Sequence, residues 1–280
     1  MNVAEAMQTA TKTLTGSGVS EPDKEARSLL AFALARDASF IIAHPEYDLS
    51  DKEADNYAGY IERRAAREPF QYIVGRQEFY GMDFIVTPDV LIPRPETETL
   101  VEDAIDVIGK TDSPRICEIG TGSGCMSIAI LKNVPDAQGL GVDVSEAALA
   151  VARRNAEMHG LADRLTLQKG NIFEGIADKF ELIVSNPPYV PAKDIASLQA
   201  EVRDFEPHLA LDGGDSGLDI VKRIISESPP HLKPAGTLLM EIGFDQSARV
   251  RDLFDRAVWA EPQFLPDLQG FPRIAKAVIR

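Results

Sequence analysis

The sequence predicts an α/β protein whose parallel sheet follows a small helical bundle and a short β connector. Three observations carry this. Apolar residues recur at helical intervals up to about Arg67. Aromatic and β-branched runs broken by glycine fill residues 70–92. From Arg115 onward short apolar runs alternate with helical segments. A chain of 280 residues suggests about two domains. The expected division is a helical domain over 1–69, a connector over 70–92 and an α/β domain over 93–280.

In the first stretch, Ser20 precedes Ala26, Leu29, Leu30 and Ala33 and is expected to cap their helix. Ser50-Asp51-Lys52-Glu53 has capping-box spacing ahead of Ala54, Tyr57, Ala58, Ile61 and Ala65. Glu68-Pro69 ends that helix, because a residue before proline avoids the α region. In the connector, Phe70–Val74 and Phe84–Val86 read as strands. Pro95 suits the first turn of a helix near Glu96–Ile108. Strands are expected at Arg115–Ile119, Gly139–Val144, Leu165–Gln168, Glu181–Ser185 and Thr237–Ile242. Two more follow near Gln263–Leu265 and Ile274–Ile279. Helices near Met126–Leu131 and Glu146–Met158 separate the first three, the second capped by Ser145 and ended by Gly160.

Lys plus Arg is 29 and Asp plus Glu is 44, a net charge of −15. Proteins that grip duplex DNA by its phosphates usually carry the opposite sign, so no direct nucleic-acid partner is expected. Cys117 and Cys125 lie in apolar runs and read as buried thiols of a reducing compartment. The four histidines are scattered and the cysteine spacing fits no zinc pattern, so no metal is expected. The N-terminus lacks signal-peptide character, and no apolar run approaches the roughly 20 residues of a membrane helix. A cytoplasmic protein is expected.

Two segments carry chemistry. Glu118-Ile119-Gly120-Thr121-Gly122-Ser123-Gly124 follows the first sheet strand and opens a helix. Glycine permits a tight turn and close approach to a ligand, and free N–H groups at the helix start can meet an acceptor. Asp143 closes the next strand on the same sheet edge, where its carboxylate can take both hydrogens of a ribose diol. The second segment is Asn186-Pro187-Pro188-Tyr189, directly after the strand ending at Ser185. Neither proline donates a hydrogen bond, and each residue before a proline is held extended. The Asn186 side-chain oxygen and the Pro187 carbonyl are therefore expected as two fixed acceptors for one NH2 group. Nitrogen alkylation places positive charge on that nitrogen, and acceptors aimed at its hydrogens stabilise it. Tyr189 is expected as a wall of the slot.

The Gly-x-Gly-x-Gly loop preceded by Glu118 resembles that of class I S-adenosylmethionine-dependent methyltransferases, which have a Rossmann-like fold. The resemblance implies S-adenosyl-L-methionine as cofactor. It implies cofactor contacts at Glu118, Gly120, Thr121, Gly122, Ser123, Gly124 and Asp143, with Glu118 serving the methionine end indirectly. It also implies adenine contacts at Asn171 and Ile172, with Asn171 standing where an Asp is common, and places Asn186 beside the cofactor. The Asn-Pro-Pro-Tyr loop resembles that of amino-methyltransferases acting on adenine, cytosine and glutamine. By that resemblance Asn186, Pro187 and Tyr189 are catalytic, and Pro188 joins them in holding the substrate.

Longer segments resemble the bacterial HemK/PrmC family. They are Arg67–Gly75, Glu78–Gly81, Val90–Glu98, Phe205–Gly214 and Glu241–Gly243, and Asp267–Arg273 is similar to its Asp-Leu-x-Gly-x-x-Arg pattern. This implies a peptide chain release factor N5-glutamine methyltransferase, acting on the Gly-Gly-Gln glutamine of class 1 release factors. The helical domain and connector would grip the release factor, and an acidic surface suits proteins that visit ribosomal RNA. The Val90–Glu98 segment reads as a cofactor-mouth element or as a rigid linker. Phe205–Gly214 reads as a functional loop or as one packed over the sheet. Two rival readings are an adenine N6-methyltransferase on nucleic acid and a non-catalytic cofactor-binding module.

Overall fold

A computed structural model describes residues 1–267 and 269–280. Leu268 of the Asp267–Arg273 motif lies outside the described residues. The chain divides into two compact units, Met1–Gly75 with Gln199–Phe205, and Arg76–Leu198 with Glu206–Arg280.

The first unit is helical: α1 (Val3–Gly16), α2 (Pro22–Ala33), α3 (Ala38–Ala43), α4 (Asp51–Ala65) and α5 (Phe70–Val74). Leu14, Leu29, Leu30, Tyr57, Ile61 and Ile73 form its core. The Tyr57 hydroxyl reaches the Ala26 carbonyl at 3.1 Å, so its one polar atom is satisfied inside. Both bonds of the Ser50–Glu53 capping box are present. The Gln199–Phe205 segment is held by Glu201, which accepts from Arg64 at 2.9 Å and Arg67 at 2.7 Å. Burial raises the Glu201 carboxyl, but the two guanidiniums outweigh it and hold it at about 2.

Two expectations here are corrected. Phe70–Val74 is a helical turn, not a strand, and it buries Tyr72 and Ile73 in the first unit. Pro69 starts it and Gly75, with φ of 73°, ends it, so helix punctuation overrode the β-branched composition. Ser20 does not cap α2. The N-cap is Glu21 in a left-handed conformation, followed by Pro22, whose missing N–H needs no cap.

The second unit opens with an antiparallel hairpin, β1 (Arg76–Phe79) and β2 (Met82–Ile85). Tyr80 and Gly81 both take positive φ, the geometry two-residue hairpin turns require. A 3-10 turn at Pro95–Thr97 leads into α6 (Glu98–Ile108), later than the helix start expected at Glu96. The elements that follow are β3 (Arg115–Ile119), α7 (Cys125–Asn133), β4 (Gln138–Asp143), α8 (Glu146–Met158), β5 (Leu165–Lys169), β6 (Phe180–Ser185), α9 (Ala200–Phe205, in the first unit), α10 (Asp219–Glu227), β7 (Leu232–Glu241), α11 (Ser247–Arg251), β8 (Gln263–Pro266) and β9 (Pro272–Val278).

The seven-stranded sheet has the order β5-β4-β3-β6-β7-β9-β8. It is parallel from β5 to β7, while β9 runs antiparallel to both of its neighbours. Side chains alternate across it. Ile116, Leu182, Val184 and Leu239 meet α6, α7 and α8, whereas Cys117, Ile183, Leu238 and Met240 meet α10 and α11. Cys117 is buried and Cys125 only partly so. The chain winds outward from β3 to β5 and returns at β6, so the strand order reverses between β3 and β6. A crevice opens at the carboxyl ends of strands at such a reversal. The Ser185 hydroxyl bonds the Ile119 carbonyl at 2.7 Å and ties those two strand ends together.

Candidate functional site

The glycine loop follows β3 at that reversal. Gly120 and Gly122 take φ of 73° and 54°, and a Cβ added at either would meet nothing within 4 Å. Their backbone therefore faces open space and requires glycine for conformation rather than for packing. Gly124 also has positive φ, and its Cβ would press on Ala152 and Ile128 at 3.3 Å. There the need is close helix packing. The loop curls toward β4, with the Gly120 and Thr121 N–H groups donating to the Val142 carbonyl.

Glu118 is 1% exposed and no cation pairs with it among the described residues. It accepts from the Thr121 hydroxyl at 2.8 Å and the Ser127 N–H at 3.1 Å. Burial pushes its carboxyl up to about 7, against those hydrogen bonds. The folded value lies above the ordinary 4.5, so the neutral acid favours folding. The Glu118 contribution to stability should be full below pH 4.5 and be lost as pH rises to about 7, on the order of 3 kcal/mol. Thermal melts of the cofactor-free protein across that window should show the decline, and Glu118→Gln should flatten it. Parallel curves for the two proteins would contradict the assignment.

Asp143 ends β4 and faces the same loop. It accepts from the Gly122 and Ser145 N–H groups, both at 2.9 Å. Asn171 follows β5 and accepts from the Arg223 guanidinium at 3.1 Å. It lines an open cavity of about 490 Å³ with Phe173, Arg223 and His231. Ile172 has φ of 62°, a left-handed conformation that is strained for a β-branched residue. Strain of this kind gathers at ligand-binding loops.

The Asn186-Pro187-Pro188-Tyr189 loop leaves β6 on the same carboxyl edge. The Asn186 side-chain nitrogen donates to the Thr97 hydroxyl at 3.2 Å. Thr97 donates to Glu241 Oε2 at 2.7 Å, and the Tyr189 hydroxyl donates to Glu241 Oε1 at 3.0 Å. Burial raises both Glu241 and Tyr189 above their ordinary values, and each is a neighbour of the other. The Asn186 Oδ1 and the Pro187 carbonyl accept no hydrogen bond from the described residues. The Tyr189 carbonyl is held by Gln246 Nε2 at 3.0 Å.

The sequence reading did not single out four residues that support these segments. Asn155, fully buried on α8, accepts from the Ile85 N–H at 2.8 Å and donates to the Ile85 and Ser123 carbonyls. It ties the hairpin to the glycine loop. Asn155→Ala should cost about 2–4 kcal/mol in urea unfolding, because three backbone groups lose a partner at once. Unchanged stability would remove it from this role. A Cβ at Gly141 would lie 2.9 Å from the Thr121 hydroxyl, so glycine in β4 makes room for that side chain. Thr97 and Glu241 sit in motifs quoted above for their resemblance, but polarity alone gave no clue to their partners.

The residues fit S-adenosylmethionine: the glycine backbone faces free space, Glu118 is a buried acid with no cation partner among the described residues, and Asp143 stands beside the loop.

Comparison with known proteins agrees. Residues 5–75 match the PrmC N-terminal domain family, and residues 100–214 match the methyltransferase small domain family. A release factor glutamine methyltransferase of Geobacter sulfurreducens is 43% identical over 93% of this chain and 91% of its own length. One of Cereibacter sphaeroides is 41% identical over 99% of this chain and 98% of its own. A methyltransferase structure from Pyrococcus furiosus shares the fold, with a TM-score of 0.55 and 18% identity, covering 80% of this chain and 98% of that one. Matched to such relatives over more than nine-tenths of its length, the chain belongs to the release factor glutamine methyltransferase family.

Proposed function

We propose that this enzyme transfers a methyl group from S-adenosylmethionine to the side-chain amide nitrogen, N5, of the glutamine in the Gly-Gly-Gln motif of class 1 peptide chain release factors. The observation that carries this reading is Asn186. Its nitrogen is taken by Thr97, while its oxygen and the Pro187 carbonyl accept no hydrogen bond from the described residues. Two acceptors and no donor suit an NH2 group.

Bound S-adenosylmethionine supplies an electrophilic methyl group on a sulfonium sulfur. The chain supplies the rest. Asp143 would hold the ribose hydroxyls, and the backbone of Gly120 and Gly122 would let the ligand approach, with Thr121, Ser123 and Gly124 completing the loop around it. Glu118 serves the methionine end. Asn171 and Ile172 contact the adenine. Asn186 Oδ1 and the Pro187 carbonyl accept the two amide hydrogens of glutamine and aim its nitrogen.

An amide nitrogen is a poor nucleophile because its lone pair is delocalised. Positive charge gathers on that nitrogen as the bond forms, and the two acceptors stabilise it without prior deprotonation. Holding the nitrogen between two fixed acceptors would remove much of the remaining entropic barrier. Pro188 and Tyr189 wall the slot and exclude water. The proton leaves afterward.

The helical unit recognises the folded release factor, and the −15 charge favours a basic protein partner over a nucleic acid. The enzyme works in the cytoplasm, where release factors act. Among the described residues no helix is long and apolar enough to cross a membrane.

Incubation with labelled cofactor, a purified class 1 release factor and DNA separates the readings. Label on the glutamine alone is the expected outcome. Label on DNA alone would replace the reading with nucleic-acid methylation, and no label on either would favour a binding module.

A further inference from the structure

We infer that Thr97 and Glu241 form a one-way hydrogen-bond relay whose task is to set which atom of Asn186 faces the substrate. The inference rests on the proposed role of the Asn186 oxygen and assigns the residues that enforce it. An asparagine amide is nearly symmetric in shape, with an oxygen that accepts and a nitrogen that only donates. Either end fits the same space. Facing the glutamine with nitrogen would set two donors against its NH2 group and expel the substrate, so the site needs a device that selects one orientation.

The geometry supplies it in three steps. Glu241 is 3% exposed, and its Oε1 takes the Tyr189 hydroxyl hydrogen at 3.0 Å. Its Oε2 lies 2.7 Å from the Thr97 hydroxyl, which is 3% exposed. Both Glu241 oxygens receive a hydroxyl, as an ionised carboxylate would have them, and an ionised carboxylate accepts only, so with Glu241 ionised the single hydroxyl hydrogen of Thr97 goes to Glu241. The Thr97 oxygen can then act toward Asn186 only as an acceptor. At 3.2 Å from Asn186 it selects the nitrogen end of the amide, and the oxygen end is left for the substrate. With Glu241 ionised, the selection follows from counting hydrogens.

The relay is held at both ends. Thr97 closes the Pro95–Thr97 turn, and the preceding Ile92 N–H and Arg94 guanidinium both bond Glu206, the latter at 2.6 Å. Glu241 ends β7, and the next turn is fixed by Gln246, which accepts from the Gly243 N–H and donates to the Tyr189 carbonyl. The Pro-Arg-Pro-Glu-Thr and Glu-Ile-Gly segments thus gain a reason to lie beside the Asn-Pro-Pro-Tyr loop. Thr97 and Glu241 touch neither ligand in this scheme and are positioning residues.

The test is steady-state methylation of a class 1 release factor by the full chain, with cofactor binding followed by calorimetry. Thr97→Val keeps the shape and removes the hydroxyl. It should lower kcat about tenfold or more while cofactor affinity and the KM for release factor stay near the parent values. Thr97→Ser, which restores the hydroxyl, should recover most of that loss. Side-chain amide NMR gives a second readout: the Asn186 NH2 hydrogens should exchange faster with solvent in Thr97→Val and not in Thr97→Ser. Glu241→Gln covers the case in which Thr97→Val does not fold. Its amide can drive the relay in either direction, so kcat should drop several-fold. Parent-level kcat in Thr97→Val, or in Glu241→Gln if only that variant folds, would overturn the relay. Asn186→Ala, run alongside, separates the two levels. If it is inactive while the relay variants turn over normally, only the relay is wrong. If it turns over normally, the reading of Asn186 falls and the relay falls with it.

Discussion

Asn186→Ala lowers kcat for release factor methylation by about 10²–10³-fold, the range seen when one preorganised group aimed at transition-state charge is removed. Cofactor affinity stays near the parent value, because the glycine loop and Asp143 lie on other elements. The split between kcat and binding is the informative part. Asn186 is expected to matter most when the glutamine nitrogen becomes positively charged, so its loss falls on the chemical step. The fold should not suffer, since Asn186 is only partly buried and, among the described residues, its side chain bonds only Thr97. Asn186→Asp probes the same point from the other side. A carboxylate has no hydrogen for Thr97, so a buried acceptor would confront another acceptor. Turnover equal to the parent in Asn186→Ala would defeat the acceptor account.

Asp143→Ala weakens cofactor binding by about 10- to 100-fold, the worth of hydrogen bonds to a charged acceptor. Two losses combine. On the proposed reading the ribose would lose its carboxylate, and the Gly122 N–H loses the partner that shapes the glycine loop. Asp143→Asn distinguishes them, because an amide keeps one acceptor oxygen but turns a donor NH2 toward either the Gly122 or the Ser145 N–H. It should fall between the parent and Asp143→Ala. Calorimetry with S-adenosylhomocysteine reads both variants without turnover. Unchanged affinity in Asp143→Ala would remove Asp143 from the cofactor site.

The sheet was readable because its strands are short apolar runs bounded by clear turn signals. Leu182–Val184 and Leu238–Met240 are buried from both faces and show unbroken hydrophobicity, as parallel strands do. Phe70–Val74 misled because composition and punctuation conflict there. Its residues favour strand, yet Pro69 and Gly75 bracket a single helical turn and tertiary packing decided the outcome. Ser20 misled because Ser and Pro two residues apart satisfy two alternative starts, and Pro22 prevailed.

The placement of the glycine loop, Asp143 and the Asn186 loop at strand ends was legible because turn-forming Gly and Pro follow clear apolar strand runs there. Asn155, Thr97 and Glu241 were not, since their partners lie 32 to 144 positions away in sequence. Thr97 fell inside the helix expected at Glu96–Ile108 and Glu241 inside the strand expected at Thr237–Ile242, where neither polar side chain pointed to a partner. Only the folded sheet brings Thr97, Tyr189 and Glu241 to one point. The segment Gln199–Phe205 joins the helical unit through Glu201, a placement that nothing local in the sequence foretells.

The most direct measurement is a crystal structure of the enzyme with S-adenosylhomocysteine and a release factor or a Gly-Gly-Gln peptide. The glutamine side-chain nitrogen should lie about 3 Å from both Asn186 Oδ1 and the Pro187 carbonyl, and on the sulfur side of the bound ligand. A glutamine amide anchored elsewhere, with Asn186 turned so that its nitrogen meets the substrate, would contradict the account.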